Sequence, residues 1–445
     1  MTDRCSGSRP DGQPAERPGK GPGERPGTRT GAGPDSRPGD RLGRLQLSLW
    51  LVTRAALLLC VLAVLPFPGP DVTADVSVIY RDWYATLRGG AFPHSDVTWQ
   101  YPPGAALAIL APALLPFLDY AHAFFALILL GDAAVLALLR YAGGRPGRSA
   151  RGAWVWTCGV PLLGPTAYAR YDLMVTAVAV AALLAGARRP RVLGALAGLG
   201  ALLKVWPVLL LTGLPRGRAT RRAWGAAAAT GAALTLFFFM TMPGALAFLT
   251  FQRDRGTEVE SLGALVFHLA RHLGWEGQVL LNYGSVEFLG PYVPLVSTLA
   301  LALAVAALGW LVLWRLRARE FDASTPCDAA FSGLLLFTTT SRVISPQYLL
   351  WLVGVGAVCL SLRSSRMTLP VWLVLAATGV TVLEFPIWFA RVVASDGVGV
   401  LLLVVRNGLL VGAAAVACTR LWRSAVRPAP APRVRPSHDE RLLSP

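Results

Sequence analysis

The feature that most restricts this chain is an alternation: from about residue 48 to 419, apolar runs long enough to cross a bilayer are separated by short arginine clusters. The run LSLWLVTRAALLLCVLAVLPF, a span near residues 48–68, holds one charge, Arg54, close enough to one end for its side chain to snorkel to the interface. Such runs select a polytopic membrane protein over a large soluble enzyme, and a composition of 54% hydrophobic and 15% charged residues agrees. A net charge of +17 would suggest nucleic acid for a soluble protein. Here the basic residues punctuate apolar runs, which is the pattern of cytoplasmic loops, so no nucleic-acid partner is implied. Lys20 and Lys204 are the two lysines in a chain that otherwise uses arginine, and Lys204 therefore stands out.

With the clusters at 140–151, 188–191, 216–222, 315–319 and 363–366 on the cytoplasmic side together with both tails, ten spans follow: near 48–68, 119–140, 152–168, 173–187, 223–243, 291–314, 327–341, 345–362, 368–390 and 397–419. Two segments do not count as simple spans. GAALAILAPALLPF at 104–117 is too short and proline-interrupted to cross, and is expected as a re-entrant or juxtamembrane helix. Residues 192–215 run between two basic clusters and are expected as a broken helical hairpin turning near KVWP. The expected fold is all-α. Residues 1–45 and 421–445, rich in Pro, Gly and Arg, read as disordered cytoplasmic tails, with no cleavable signal expected, around a membrane domain at 46–420 whose first outer loop is 69–118. The six cysteines show no CxxC pattern and read as small hydrophobes.

On this map the first loop, RYD at 170–172, FQRDRGTEVES at 251–261 and SRVISPQY at 341–348 fall on one face, the outer one. Irregular polar backbone is tolerated near lipid only inside protein or around a wet cavity, so these segments are expected at the mouth of one. Asp75, a few residues past the first span, is the first candidate for chemistry, although a solvated loop acid or a helix N-cap explains it equally well. Tyr101-Pro102-Pro103 starts the next helix. Arg170 and Asp172 are spaced to pair with each other or to bind a ligand. Lys204 and Arg406 are the cations deepest in apolar sequence, and each could neutralise a lipid phosphate or pair with an internal acid such as Asp132. Arg342 lies beside a helix-breaking Ser345-Pro346. Arg253, Arg255, Glu258 and Glu260 form a charge run, by default a solvated surface, and residues 262–274 carry an apolar stripe suited to an interfacial helix. His268 and His272 lack the glutamate of a zinc-protease motif and are read as structural or substrate-facing, with no metal. No phosphate-binding glycine loop is present, so no nucleotide cofactor is expected.

Four blocks occurring in order resemble glycosyltransferase family 87: DVSVIYRDWYATLRGGAFPHSDVTWQYPPGAALAILAP, RYDLMVTAVAVAALL, GALAGLGALLKVWPVLLL and SRVISPQYLLWL. That family comprises polyprenol-phosphate-mannose-dependent α-mannosyltransferases. The resemblance spans roughly residues 45–420 and implies the C-type membrane glycosyltransferase fold, with a lipid-phosphate sugar as donor and a catalytic aspartate in the first outer loop, here Asp75. The match is residue by residue at Asp75, Tyr80, Gly89-Gly90 and Tyr101-Pro102-Pro103, whereas FPHSDVTWQ departs from the commoner pattern. The expected donor-phosphate cations are Arg342, Arg170, Lys204 and Arg406, in that order. The expected substrate-binding residues are Tyr80, Asp96, Tyr101, Asp172, Tyr348 and His268. Hexose transfer, most simply of mannose, to a glycolipid or glycan on the outer face of the cell membrane would need no metal and no cofactor. A polyprenyl-lipid transporter or flippase would want a similar wet, cationic cavity, and a scaffold that has lost activity would keep the same residues.

Overall fold

The computed structural model describes residues 38–253 and 256–426. The tails read as disordered therefore lie almost wholly outside the described residues. The exceptions are the start of the first helix, Pro38–Val61, and the end of the last, Gly397–Ala425, each of which reaches into a segment expected to be tail. The chain divides into two units, Met1–Leu45 and Gln46–Pro445. Among the described residues the first unit holds only the opening turns of the first helix.

The second unit is mostly helical with little strand. Among the described residues six helices are long and apolar enough to cross a membrane: Arg41–Val61, Tyr120–Gly143, Arg218–Thr241, Val293–Arg317, Thr368–Ile387 and Gly397–Ala425. Shorter apolar helices, among them Asp172–Gly186, Pro190–Leu203 and Tyr348–Leu360, lie between them in sequence. The first helices are tied by a buried polar knot rather than by apolar packing alone. Asp132 accepts hydrogen bonds from Arg54 Nε (2.8 Å), Trp50 Nε1 (2.9 Å), Trp156 Nε1 (2.7 Å) and the Tyr168 hydroxyl (2.8 Å). Arg54 is thus fully buried and does not snorkel, because a carboxylate and the Thr157 and Trp156 carbonyls satisfy it inside the protein.

The two awkward segments fold as short or broken helices. Residues 104–117 contain the helix Ala105–Leu110 and a 3₁₀ turn Ala111–Leu114. The Pro190–Leu203 helix stops where Lys204 turns extended (φ −152°, ψ 140°), and a 3₁₀ segment, Trp206–Leu211, follows. Its approach to Arg218–Thr241 depends on small residues four apart: a Cβ on Gly194 or Gly198 would lie 2.0 Å or 2.5 Å from the carbonyl oxygen of Ala223 or Ala227. Backbones this close are how helices associate where lipid removes the hydrophobic drive.

The expectation of an all-α protein needs correction. β1 (Thr257–Glu258), β2 (Gln278–Asn282) and β3 (Ser285–Leu289) form an antiparallel sheet in the order β1-β3-β2. β2 and β3 are joined by Tyr283-Gly284, both at positive φ (48° and 76°), as a tight two-residue hairpin turn requires. The sheet has its own small core, with Phe267, Phe288, Val259 and Leu403 packed together. Only Ala264–Arg271 of the expected interfacial segment is helical. It is pinned by its histidines: His268 Nδ1 meets Ser395 Oγ at 2.7 Å, Nε2 meets the Val259 carbonyl at 2.8 Å, and His272 Nε2 meets the Ser395 carbonyl at 2.8 Å.

Candidate active site

The first loop, Arg170, the Lys204 break, residues 258–260, the β2–β3 hairpin and the unwound 341–348 segment border one cavity of about 800 Å³. The polar segments that the sequence assigned to one face therefore do converge. Asp75 begins a helical turn, Asp75–Tyr80, that runs into the helix Arg81–Arg88. It caps no backbone N–H; its carboxylate instead forms an ion pair with Arg170 Nη2 at 3.0 Å, with the Asp75 side chain 34% exposed on the cavity wall. Arg170 Nη1 also donates to the carbonyls of Val72 (3.0 Å) and Ala169 (2.8 Å), so the guanidinium fixes the loop and the carboxylate together. Burial works against the Arg170 charge, but Asp75 together with Tyr80, Tyr101 and Asp172 outweighs it, so the guanidinium pKa is raised.

The expected Arg170–Asp172 pair does not form. Asp172 is buried behind the wall, where it takes Lys204 Nζ at 2.8 and 3.0 Å and Trp351 Nε1 at 2.8 Å. Lys204 lines the cavity inside a box of rings, its Nζ 4.9 Å from the centroid of Tyr101, 5.0 Å from Tyr171, 5.3 Å from Trp351 and 5.8 Å from Tyr348. Four aromatic faces and a carboxylate offset the cost of placing an ammonium among apolar side chains. Tyr80 also lines the cavity; its hydroxyl is buried with no hydrogen-bond partner among the described residues, and burial raises its pKa, so it remains a neutral donor.

Of the residues singled out from sequence, Asp75, Arg170, Lys204, Arg342, Tyr80, Tyr101 and Tyr348 are on the wall. Arg406 is not. It is fully buried, paired with Glu384 Oε1 at 2.7 Å rather than with Asp132, and it donates to the carbonyls of Glu260 and Ile344. Asp172 stands behind Lys204. Asp96 shapes the loop by accepting from Trp83 Nε1 (2.8 Å) and from the Thr98 amide (2.9 Å) and hydroxyl (2.6 Å). His268, fully buried and with both ring nitrogens engaged, has no access to the cavity.

The charge run is the main thing the sequence concealed. Arg255 lies outside the described residues, but Glu258 and Glu260 are buried in the cavity wall, not solvated. Glu258 accepts from the Ile344 amide (2.7 Å) and the Ser345 hydroxyl (2.9 Å), and its own amide donates to the Arg342 carbonyl (3.1 Å), so it holds the unwound segment that carries Arg342. The available signal was two acids flanking an apolar residue, Glu258-Val259-Glu260; the strand ends at Glu258, and the turn at Val259-Glu260 brings the second acid to the same wall.

The helices suited to crossing a membrane accompany an aromatic-lined cavity that holds both a carboxylate and fixed cations. The model of glycosyltransferase family 87 matches residues 99–346, more than half of the chain, and the chain belongs to that family. It is accordingly a membrane glycosyltransferase, using a sugar donor and an acceptor. No curated protein and no solved structure matches the chain. Asp75 precedes the matched residues, so its role rests on geometry.

Proposed function

We propose that this glycosyltransferase moves a hexose, most simply mannose, from a polyprenyl phosphate to a hydroxyl of a glycolipid or glycan, with inversion and with Asp75 as general base. The observation that carries this reading is Asp75 on the cavity wall, its carboxylate held by Arg170. A carboxylate oxygen of Asp75 takes the acceptor hydroxyl proton as that oxygen attacks the anomeric carbon. The bond from that carbon to the phosphate oxygen breaks, and polyprenyl phosphate leaves with the electron pair. Hydrolysing an ordinary glycoside takes two carboxyl groups because its leaving group needs a proton. A phosphate does not, so one base suffices. Arg342 and Lys204 serve the departing phosphate, whose growing charge fixed cations stabilise. Arg170, committed to Asp75, serves as a positioning residue. Tyr80, with an unmet hydroxyl, and Tyr101 and Tyr348, with ring faces near Lys204, contact the sugar.

A lipid-linked donor is favoured by the cavity rim, where Val205 (56% exposed), Leu249 (58%) and Leu281 (77%) combine cavity contact with apolar exposure. In this reading the shorter helices complete the ten crossings of a C-type fold, with the cavity on the outer face and both tails cytoplasmic.

The test is Asp75→Asn in the full chain, with release of free polyprenyl phosphate measured in the presence of donor and acceptor. Loss of a general base lowers the rate about 100- to 10,000-fold. Stability should change by no more than about 1 kcal/mol, because the ion pair is partly solvated and Arg170 keeps two carbonyl partners. Undiminished transfer by the variant removes Asp75 from the mechanism. Absence of polyprenyl phosphate release by wild type with every polyprenyl-phosphate hexose removes the donor.

A further inference from the structure

Beyond the residues used above, the cavity wall contains a second acid whose environment differs from that of Glu258. Both carboxylate oxygens of Glu258 are taken by the Ile344 amide and the Ser345 hydroxyl. Glu260, 4% exposed and on the same wall, has a carboxyl Oε1 with no donor. Its neighbour is Glu384, whose carboxyl lies against its own and whose Oε2 also lacks a donor. A proton shared by the two carboxyl groups serves Glu384 Oε2 and one oxygen of Glu260, which leaves the other Glu260 oxygen without a donor. Burial and the two nearby glutamates raise the Glu260 pKa, which favours that proton's retention. Arg406 closes the unit, with Nη2 2.7 Å from Glu384 Oε1 and 2.7 Å from the Glu260 carbonyl oxygen. One shared proton, two carboxyl groups and one guanidinium make a neutral cluster, so it neither repels an anionic donor nor offers a cation a full charge. What it retains on the cavity side is a fixed oxygen of Glu260, a group suited to a hydroxyl.

We propose that Glu260 is a sugar-reading residue, its free carboxyl oxygen accepting a hydrogen bond from one hydroxyl of the transferred hexose or of the acceptor, with Glu384 and Arg406 holding it in place. The assignment rests on the glycosyl-transfer reading of the cavity and adds a specificity determinant to it.

The experiment compares wild type, Glu260→Ala and Glu260→Gln, as full chains in detergent, with polyprenyl-phosphate mannose and its 2-, 3-, 4- and 6-deoxy forms, and with a short alkyl mannoside acceptor and its deoxy forms. A hydroxyl read by a buried polar group is worth on the order of 10- to 100-fold in kcat/KM. Glu260→Ala should lose that factor with the intact sugars and almost nothing further with the one deoxy form whose missing hydroxyl Glu260 reads. Which series contains that form tells donor from acceptor. Glu260→Gln, which keeps a carbonyl acceptor, should lose less. Equal losses across all probes, or no loss, would overturn the proposal. Binding of the same saccharides to the three proteins reads the same pattern without turnover. A wild type that binds these saccharides but never transfers would thus refute the proposed polyprenyl-phosphate-hexose reading while the Glu260 comparison is still decided.

Discussion

Lys204 is the strongest place to separate folding from function, because its charge is compensated on one side and faces the cavity on the other. Lys204→Met strands Asp172 in a fully buried site with Trp351 Nε1 as its one remaining side-chain donor. Removing one partner of a buried pair costs about 3–5 kcal/mol. Adding Asp172→Asn removes the stranded charge while leaving a carbonyl for the Trp351 N–H, so most of the loss should return. A deficit of about 1–2 kcal/mol should persist, since the ammonium also sits 4.9–5.8 Å from four ring centroids. The double variant should therefore be about 2–3 kcal/mol more stable than Lys204→Met alone, read by reversible unfolding in mixed micelles. Transfer activity should not follow stability: with the cation gone, the double variant should be nearly as inactive as the single one. If the double variant unfolds as readily as Lys204→Met, the charge pair is not what stabilises this site. If it folds well and transfers at the wild-type rate, Lys204 does not serve the donor phosphate.

Other perturbations probe neighbouring claims. Asp132→Ala, which takes the carboxylate from the buried Arg54 charge and the acceptor from three further donors in the polar knot, should destabilise the detergent-solubilised protein by about 3–5 kcal/mol in the same unfolding assay. Glu258→Gln should loosen the segment carrying Arg342 and slow transfer on the order of 10- to 100-fold, with a smaller effect on unfolding, because small misplacements at a reacting centre are costly. Glu260 has a raised folded-state pKa, so the folded chain binds its proton more tightly than the unfolded one and stability falls as pH rises above the ordinary value of 4.5. Glu260→Gln, facing the same Glu258, Glu384 and Arg406, should flatten that decline in unfolding measured between pH 5 and 8.

The membrane class was legible in the sequence because partition into a bilayer is settled locally, by the length of an apolar run and the charges at its ends. The breaks at 104–117 and at Lys204 were legible for the same reason: too few residues to cross, a proline, or a lysine amid apolar neighbours. The first-loop aspartate and the convergence of four polar segments came from that topology. The hairpin was partly legible, since Tyr283-Gly284 between alternating residues is a turn signal, but the apolar stripe of 262–274 masked it.

What tertiary structure alone decided was partnership. Arg54 finds Asp132, Arg170 finds Asp75 rather than Asp172, Lys204 finds Asp172, and Arg406 finds Glu384. Each choice joins residues well apart in the chain and depends on helices meeting within a few ångströms, for instance where Gly194 and Gly198 admit Ala223 and Ala227. Whether a charged side chain near lipid lines a cavity or is spent on another charge depends on that packing, since the low dielectric penalises any charge left unmatched. Run length and composition fix how deep a residue lies, but not what it touches there.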